Sequence, residues 1–199
     1  MLADDLGWGD VGYHDAPIRT PNIDRLANEG MRFTQMLAGG PVCAPTRCAL
    51  MTGKHLGHAS VRENSGEKAI VAGEVTIATL LKKAGYATGG YGKWGCGGRG
   101  STGVPEEHGF DVFFGYYDQV HAHSYYTDYL IRNGEKVPQP PKTYSHNTIA
   151  AQAMQFIRDH KDRPFFLYLP YTLPHGKFEI PSDEPYSDES WPQQVRNYA

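Results

Sequence analysis

The stretch Pro164-Phe165-Phe166-Leu167-Tyr168-Leu169 constrains this chain more than any other. A continuous apolar and aromatic run, entered through proline, predicts a strand buried on both faces of a sheet. Just before it, Ser145 to His160 places Ile149, Ala153, Phe156 and Ile157 at helical spacing. The same alternation appears earlier. Thr20 to Gly30 reads as a helix with a threonine cap, Pro21 at its first position, Ile23, Leu26 and Ala27 on one face, and glycine as the stop. Met31 to Leu37 is then expected to be a strand that delivers the chain to Cys43. Thr76 to Lys83 predicts a second amphipathic helix closed by Gly85, and Tyr86 to Tyr91 a short strand after it. Val112 to Tyr116 reads as another strand, and Tyr129 to Val137 as a hairpin turning at Asn133-Gly134. Helices alternating with buried strands predict an α/β sheet whose functional loops gather at the strand C-termini.

With 199 residues the chain can form one sizeable domain or part of a larger one. Its net charge of −3, without a basic stripe or arginine-rich helix, argues against nucleic acid as a main partner. No apolar run approaches the roughly 18 residues a membrane span needs. Three cysteines, Cys43, Cys48 and Cys96, do not make a disulfide framework, and an odd count leaves at least one thiol free. Both ends read as cut. Met1 to Ala3 runs at once into Asp4-Asp5, like the tip of a strand whose body is missing, and Trp191 to Ala199 stops without completing an element. Compartment is therefore hardly constrained.

The chemistry concentrates in Cys43-Ala-Pro45-Thr-Arg47-Cys-Ala-Leu50-Met-Thr-Gly53-Lys54. A helix starting just after Cys43 and ending at Gly53 would set the cysteine at a helix N-terminus, where free N–H groups and the dipole favour an anion. Pro45 suits the first turn. Arg47, one turn in, can aim its guanidinium at an oxyanion held near Cys43. This is the geometry of a nucleophile beside an anion pocket.

The run resembles the signature of the type I sulfatases, Cys-x-Pro-Ser-Arg-x-x-x-Leu-Thr-Gly-Arg/Lys, with Thr46 where the family usually has serine. The resemblance implies an alkaline-phosphatase-like fold, a mixed and mostly parallel sheet flanked by helices. Residues 1–199 would be the N-terminal part of the catalytic domain, with later metal-binding segments beyond it. It further implies that a maturation enzyme oxidises Cys43 to formylglycine, whose hydrated aldehyde attacks sulfate esters with a divalent cation, Ca²⁺ or Mg²⁺, bound nearby. In this family such enzymes are periplasmic, secreted or lysosomal.

Other segments fit the same family in order. Asp4 and Asp5, adjacent carboxylates that repel unless a cation lies between them, match its opening metal-binding motif, and modified Cys43 would be a further ligand. Lys93 in Gly92-Lys93-Trp94-Gly95 matches its Gly-Lys-Trp-His, except that Gly95 stands where the histidine belongs. That histidine would take a proton from the hydrated aldehyde as sulfate leaves. His121 and His123, pointing the same way from an extended segment, are the expected substitutes and substrate contacts, with preference for His123. His175, in Pro174-His175, matches the histidine that binds sulfate and protonates the leaving group. The substrate implied is a small-molecule or carbohydrate sulfate ester. A phosphonate or phosphate monoester hydrolase of the same superfamily, or a sulfated-sugar-binding protein without turnover, are the rival readings.

Overall fold

The computed structural model describes residues 1–199. In chain order its elements are β1 (Leu2–Asp4), α1 (Pro21–Glu29), α2 (Cys43–Thr52), α3 (Ile77–Lys83), β2 (Ala87–Lys93), β3 (Val112–Tyr116), β4 (Tyr129–Arg132), β5 (Glu135–Pro138), α4 (Ser145–His160), β6 (Phe165–Tyr168), β7 (Pro170–Pro174) and α5 (Gln193–Tyr198). Five strands form one sheet in the order β5-β4-β3-β2-β6, and β1 pairs with β7 in a second. β2 runs parallel to β3 and β6, β1 runs parallel to β7, and β4 and β5 are antiparallel.

The glycine-rich strand β2, Ala87-Thr-Gly-Gly-Tyr-Gly-Lys93, is buried at every residue. Its missing side chains explain that position. A Cβ at Gly89 would lie 2.8 Å from the Phe156 ring, and one at Gly90 would lie 2.6 Å from Phe113. The strand is thus thin enough to be packed from both faces. On one face α4 delivers Ile149, Ala153 and Phe156 against Phe114 and Tyr116. On the other, Trp94, Phe110 and Phe113 join Cys48 and Met51 of α2. Gly92 has φ of 140°, and a Cβ there would meet the Pro170 carbonyl oxygen at 2.2 Å. This close approach brings β7, and with it β1, against the larger sheet.

Several expectations hold to within a residue or two: α3, β2, β3, α4 and the β4–β5 hairpin through Asn133 and Gly134, both at positive φ. Others are corrected. The strand from Phe165 ends one residue early, at Tyr168, and lies at the sheet edge, so Phe165 to Leu167 are only partly buried. The apolar sequence continues instead into β7, which the sequence reading missed. Met31 to Leu37 is not a strand. No strand pairs with it, and Met31, Phe33, Met36 and Leu37 are exposed. Thr20 does not cap α1 through its hydroxyl, which accepts from Gly12 N–H and donates to Asp24. Gln193–Tyr198, where no element was expected, form the short helix α5.

Replacing Gly92 by alanine is expected to abolish cooperative folding, because the added methyl meets backbone, which cannot swing aside. Circular dichroism melting of Gly92→Ala beside Gly98→Ala, whose Cβ would meet nothing within 4 Å, checks this.

Candidate active site

Helix α2 begins at Cys43, as the cysteine–proline–arginine spacing predicts, and ends at Gly53. Val42 offers no side-chain cap. The capping role falls to Asn64, from a loop twenty residues on: its Oδ1 accepts the Ala44 N–H at 2.9 Å and its Nδ2 donates to Cys43 Sγ at 3.1 Å. The Thr46 hydroxyl donates to the Gly40 carbonyl at 2.8 Å, so the departure from serine keeps its hydroxyl engaged. Cys48 and Cys96 are wholly buried free thiols, whereas Cys43 is half-buried and free.

Lys93, the last residue of β2, is wholly buried and is the hub of the site. Its ammonium contacts Asp4 Oδ2 at 2.7 Å, His123 Nε2 at 3.3 Å and Cys43 Sγ at 3.5 Å. Arg47 does not aim at the sulfur. It reaches across to Asp4, with Nη2 at 3.3 Å from Oδ1, and its Nη1 donates to the Lys93 carbonyl at 2.5 Å. Arg47 Nε and Nη2 are buried without a hydrogen-bond acceptor. Burial pushes the Asp4 carboxyl up, but Arg47 and Lys93 outweigh it and hold the acid below its ordinary range.

The histidine pair divides. Residues 121–123 form a 3₁₀ turn rather than an extended segment, so the two imidazoles part. His121 hydrogen-bonds to the Thr127 hydroxyl at 2.8 Å and packs between Tyr116 and Tyr129, away from the cysteine. His123 shares the Lys93 ammonium with Cys43 and stacks on His175, with ring centroids 4.0 Å apart and planes 12° apart. Burial, then Lys93 and His175, push His123 down to about 4, so its ring is neutral at pH 7. His175 Nε2 in turn lies 3.4 Å from the carboxylate of Asp5, which is largely exposed. Asp4, Asp5, Arg47 and Cys43 border one cleft of about 230 Å³. A cleft of about 640 Å³ beside Arg99 and Glu106 is larger but holds none of these groups.

Adjacent carboxylates on a shared cleft are the hard oxygen donors that Ca²⁺ or Mg²⁺ takes. Asp4 and Asp5 fit that chemistry as part of a ligand set. No three His, Cys, Asp or Glu side chains form a metal cage by themselves, and Cys43 borders the same cleft as the two carboxylates.

Two amide residues escaped the sequence reading. Asn64 sits in a polar loop with no motif around it. Gln119, on the loop after β3, has Oε1 at 3.6 Å from Cys43 Sγ, and its Nε2 is 2.5 Å from where a Cβ on Gly95 would stand. The glycine in place of histidine was the one signal pointing there.

A half-buried cysteine at a helix start, a buried lysine, an arginine–aspartate pair and two stacked histidines thus gather near the ends of β1 and β2. The sulfatase family model matches residues 1–199, and the chain belongs to that family. N-acetylgalactosamine-6-sulfatase of Homo sapiens is 36% identical over 204 residues, covering 88% of this chain and 39% of that protein. Arylsulfatase D of Homo sapiens is 44% identical over 130 residues, covering 58% of this chain and 22% of that protein. The crystal structure of Ps i-CgsB superposes with a TM-score of 0.87 at 28% identity, over 100% of this chain and 49% of its own. Another structure, solved with its substrate D-glucosamine-2-N,6-O-disulfate, gives a TM-score of 0.77 at 26% identity, over 96% and 37%. The chain thus spans about half or less of the relatives it matches. The mixed, mostly parallel sheet flanked by helices is the alkaline-phosphatase-like arrangement of those neighbours.

Asp4→Ala would leave two buried cations unpaired and should cost about 3–5 kcal/mol in urea unfolding. Asp5→Ala removes an exposed carboxylate and should cost under about 1 kcal/mol. His123 should also shape the acid response. Its imidazole protonates in the unfolded chain near the usual value of about 6.5 and in the folded chain only near 4. Its contribution is therefore complete above the first value and lost as pH falls towards the second. Urea midpoints of His123→Gln between those limits should fall less steeply than those of the parent.

Proposed function

We propose that this chain carries the nucleophile side of a sulfuric ester hydrolase site acting on sulfated carbohydrates. The observation that carries the reading is Cys43 at the first position of α2 with the Lys93 ammonium 3.5 Å from its sulfur. Oxidised to formylglycine by a maturation enzyme, residue 43 supplies a hydrated aldehyde, an oxygen nucleophile that can later release sulfate without water attacking sulfur. Asp4 and Asp5 would hold a Ca²⁺ ion, which supplies further positive charge to the sulfate oxygens.

The remaining roles belong to side chains in place. Lys93 and Arg47, with Asp4 as their shared counter-ion, are the cations placed to meet a sulfuryl group as it gathers negative charge. Arg47 Nε, which has no hydrogen-bond acceptor and no carboxylate beside it, is a donor suited to such an oxyanion. His175, stacked on His123 and 3.4 Å from Asp5, is the group to protonate the departing alcohol. Neutral His123, touching Lys93, can accept a proton in the region where Gly95 offers no base. The sulfated sugar in one structural relative and the hexosamine sulfatase among the sequence relatives support carbohydrate sulfate as the substrate class.

Coexpression with a maturation enzyme should lower the intact mass by about 18 Da at Cys43, the difference between a thiol and an aldehyde side chain. Cys43→Ala should show no mass change and no sulfate release. Full sulfate-ester turnover in Cys43→Ala would overturn the reading, and faster hydrolysis of phosphate than of sulfate esters would move it to the phosphoesterase rival. Exhaustive chelation should abolish turnover, restored by added Ca²⁺.

A further inference from the structure

We infer that Gln119 is the positioning residue for the side chain at position 43, and that Gly95 is glycine because Gln119 fills the space beside it. This rests on the hydrolase reading only for its kinetic consequence, since the geometry stands on distances alone. Gly95 adopts φ of +74°, in the left-handed region, and a Cβ built there would lie 2.5 Å from Gln119 Nε2 and 3.1 Å from its Cδ. The amide itself donates to the Gly95 carbonyl at 3.5 Å, which turns its Oε1 towards Cys43 Sγ at 3.6 Å. Gln119 is largely buried, so this arrangement is packed in rather than draped on the surface.

The hydrogen-bond inventory around residue 43 gives the amide its consequence. Asn64 Nδ2 and Lys93 Nζ both donate to the side-chain atom, at 3.1 Å and 3.5 Å. Gln119 Oε1 is the acceptor facing it. A group at this position that bears a proton, thiol or hydroxyl, has that proton directed to Gln119, and its lone pairs are turned to the two donors. The rotamer is fixed by one neutral acceptor and two donors before any substrate arrives. An imidazole at position 95 and the carboxamide at 119 exclude each other, so the two positions form a single unit of steric choice.

The test uses the unmodified chain first. Iodoacetamide labelling followed by mass mapping reads Cys43 alone, because the buried Cys48 and Cys96 serve as an internal check that the protein stays folded. Gln119→Ala should raise the Cys43 labelling rate at least about threefold by uncovering the sulfur, with Cys48 and Cys96 still unlabelled. Gly95→Ala should lower the melting temperature by about 2–4 °C or more in the parent, and by clearly less when Gln119→Ala is present. In the matured protein, Gln119→Ala should lower kcat about 10–100-fold with KM little changed, as expected when one hydrogen bond to the reacting group is lost. An unchanged labelling rate, or a Gly95→Ala penalty identical in both backgrounds, would overturn the assignment. If matured protein releases no sulfate from any ester, the hydrolase reading fails, while labelling and melting still decide Gln119.

Discussion

The buried contact between Lys93 and Asp4, joined by Arg47, is the interaction on which the rest of the structure depends. Each partner comes from a different piece: Asp4 from the end of β1, Lys93 from the end of β2, Arg47 from the second turn of α2. Removing three charges from water is costly, and the attraction offsets that cost only when all three are in place. The cluster therefore locks the two-stranded ribbon, the five-stranded sheet and the nucleophile helix into one register. It also sets the electrostatics. Two cations share one buried anion, and the exposed carboxylate of Asp5 lies on the same cleft.

The glycine composition of β2 makes this cluster possible. A strand with full side chains at positions 89, 90 and 92 could not accept Phe156 on one face, Phe113 on the other and the Pro170 backbone at its end. Lys93 reaches the site from a fully buried position because the preceding residues let neighbouring elements close tightly around it. Packing on the strand and charge at its tip are thus two outcomes of one sequence stretch.

How much was legible in the sequence follows from how local each signal is. The α2 boundaries and the hairpin at Asn133-Gly134 were legible because proline, glycine and helical spacing act within a few residues. Cys43, Lys93, Asp4 and His175 drew attention because they occur in recognisable runs, and the structure places Asp4 and Cys43 against Lys93 and His175 against His123. Met31 to Leu37 was misread because β-like composition does not supply a pairing partner, and pairing is what makes a strand. The two histidines part company in the structure. Spacing of two residues aligns side chains in an extended chain, but the 3₁₀ turn sends His121 into a tyrosine pocket and His123 to Lys93. Asn64 and Gln119 were out of reach, since their roles come from loops closing on Cys43 across 21 and 76 residues of sequence.

The pairing of β1 with β7 joins residues 2–4 to residues 170–174. On the ribosome, β1 must wait until residues 170–174 have been made before it can pair with β7. Cys43 waits as well, because Lys93, Gln119 and His123 are all made after it. At about 5–20 residues per second, the stretch from Cys43 to His175 takes on the order of ten seconds to synthesise. During that interval the cysteine belongs to an unfinished, uncovered segment. The topology thus sets an order of events: residue 43 stays uncovered until the strand and loop that bring Lys93 and Gln119 to it have been made.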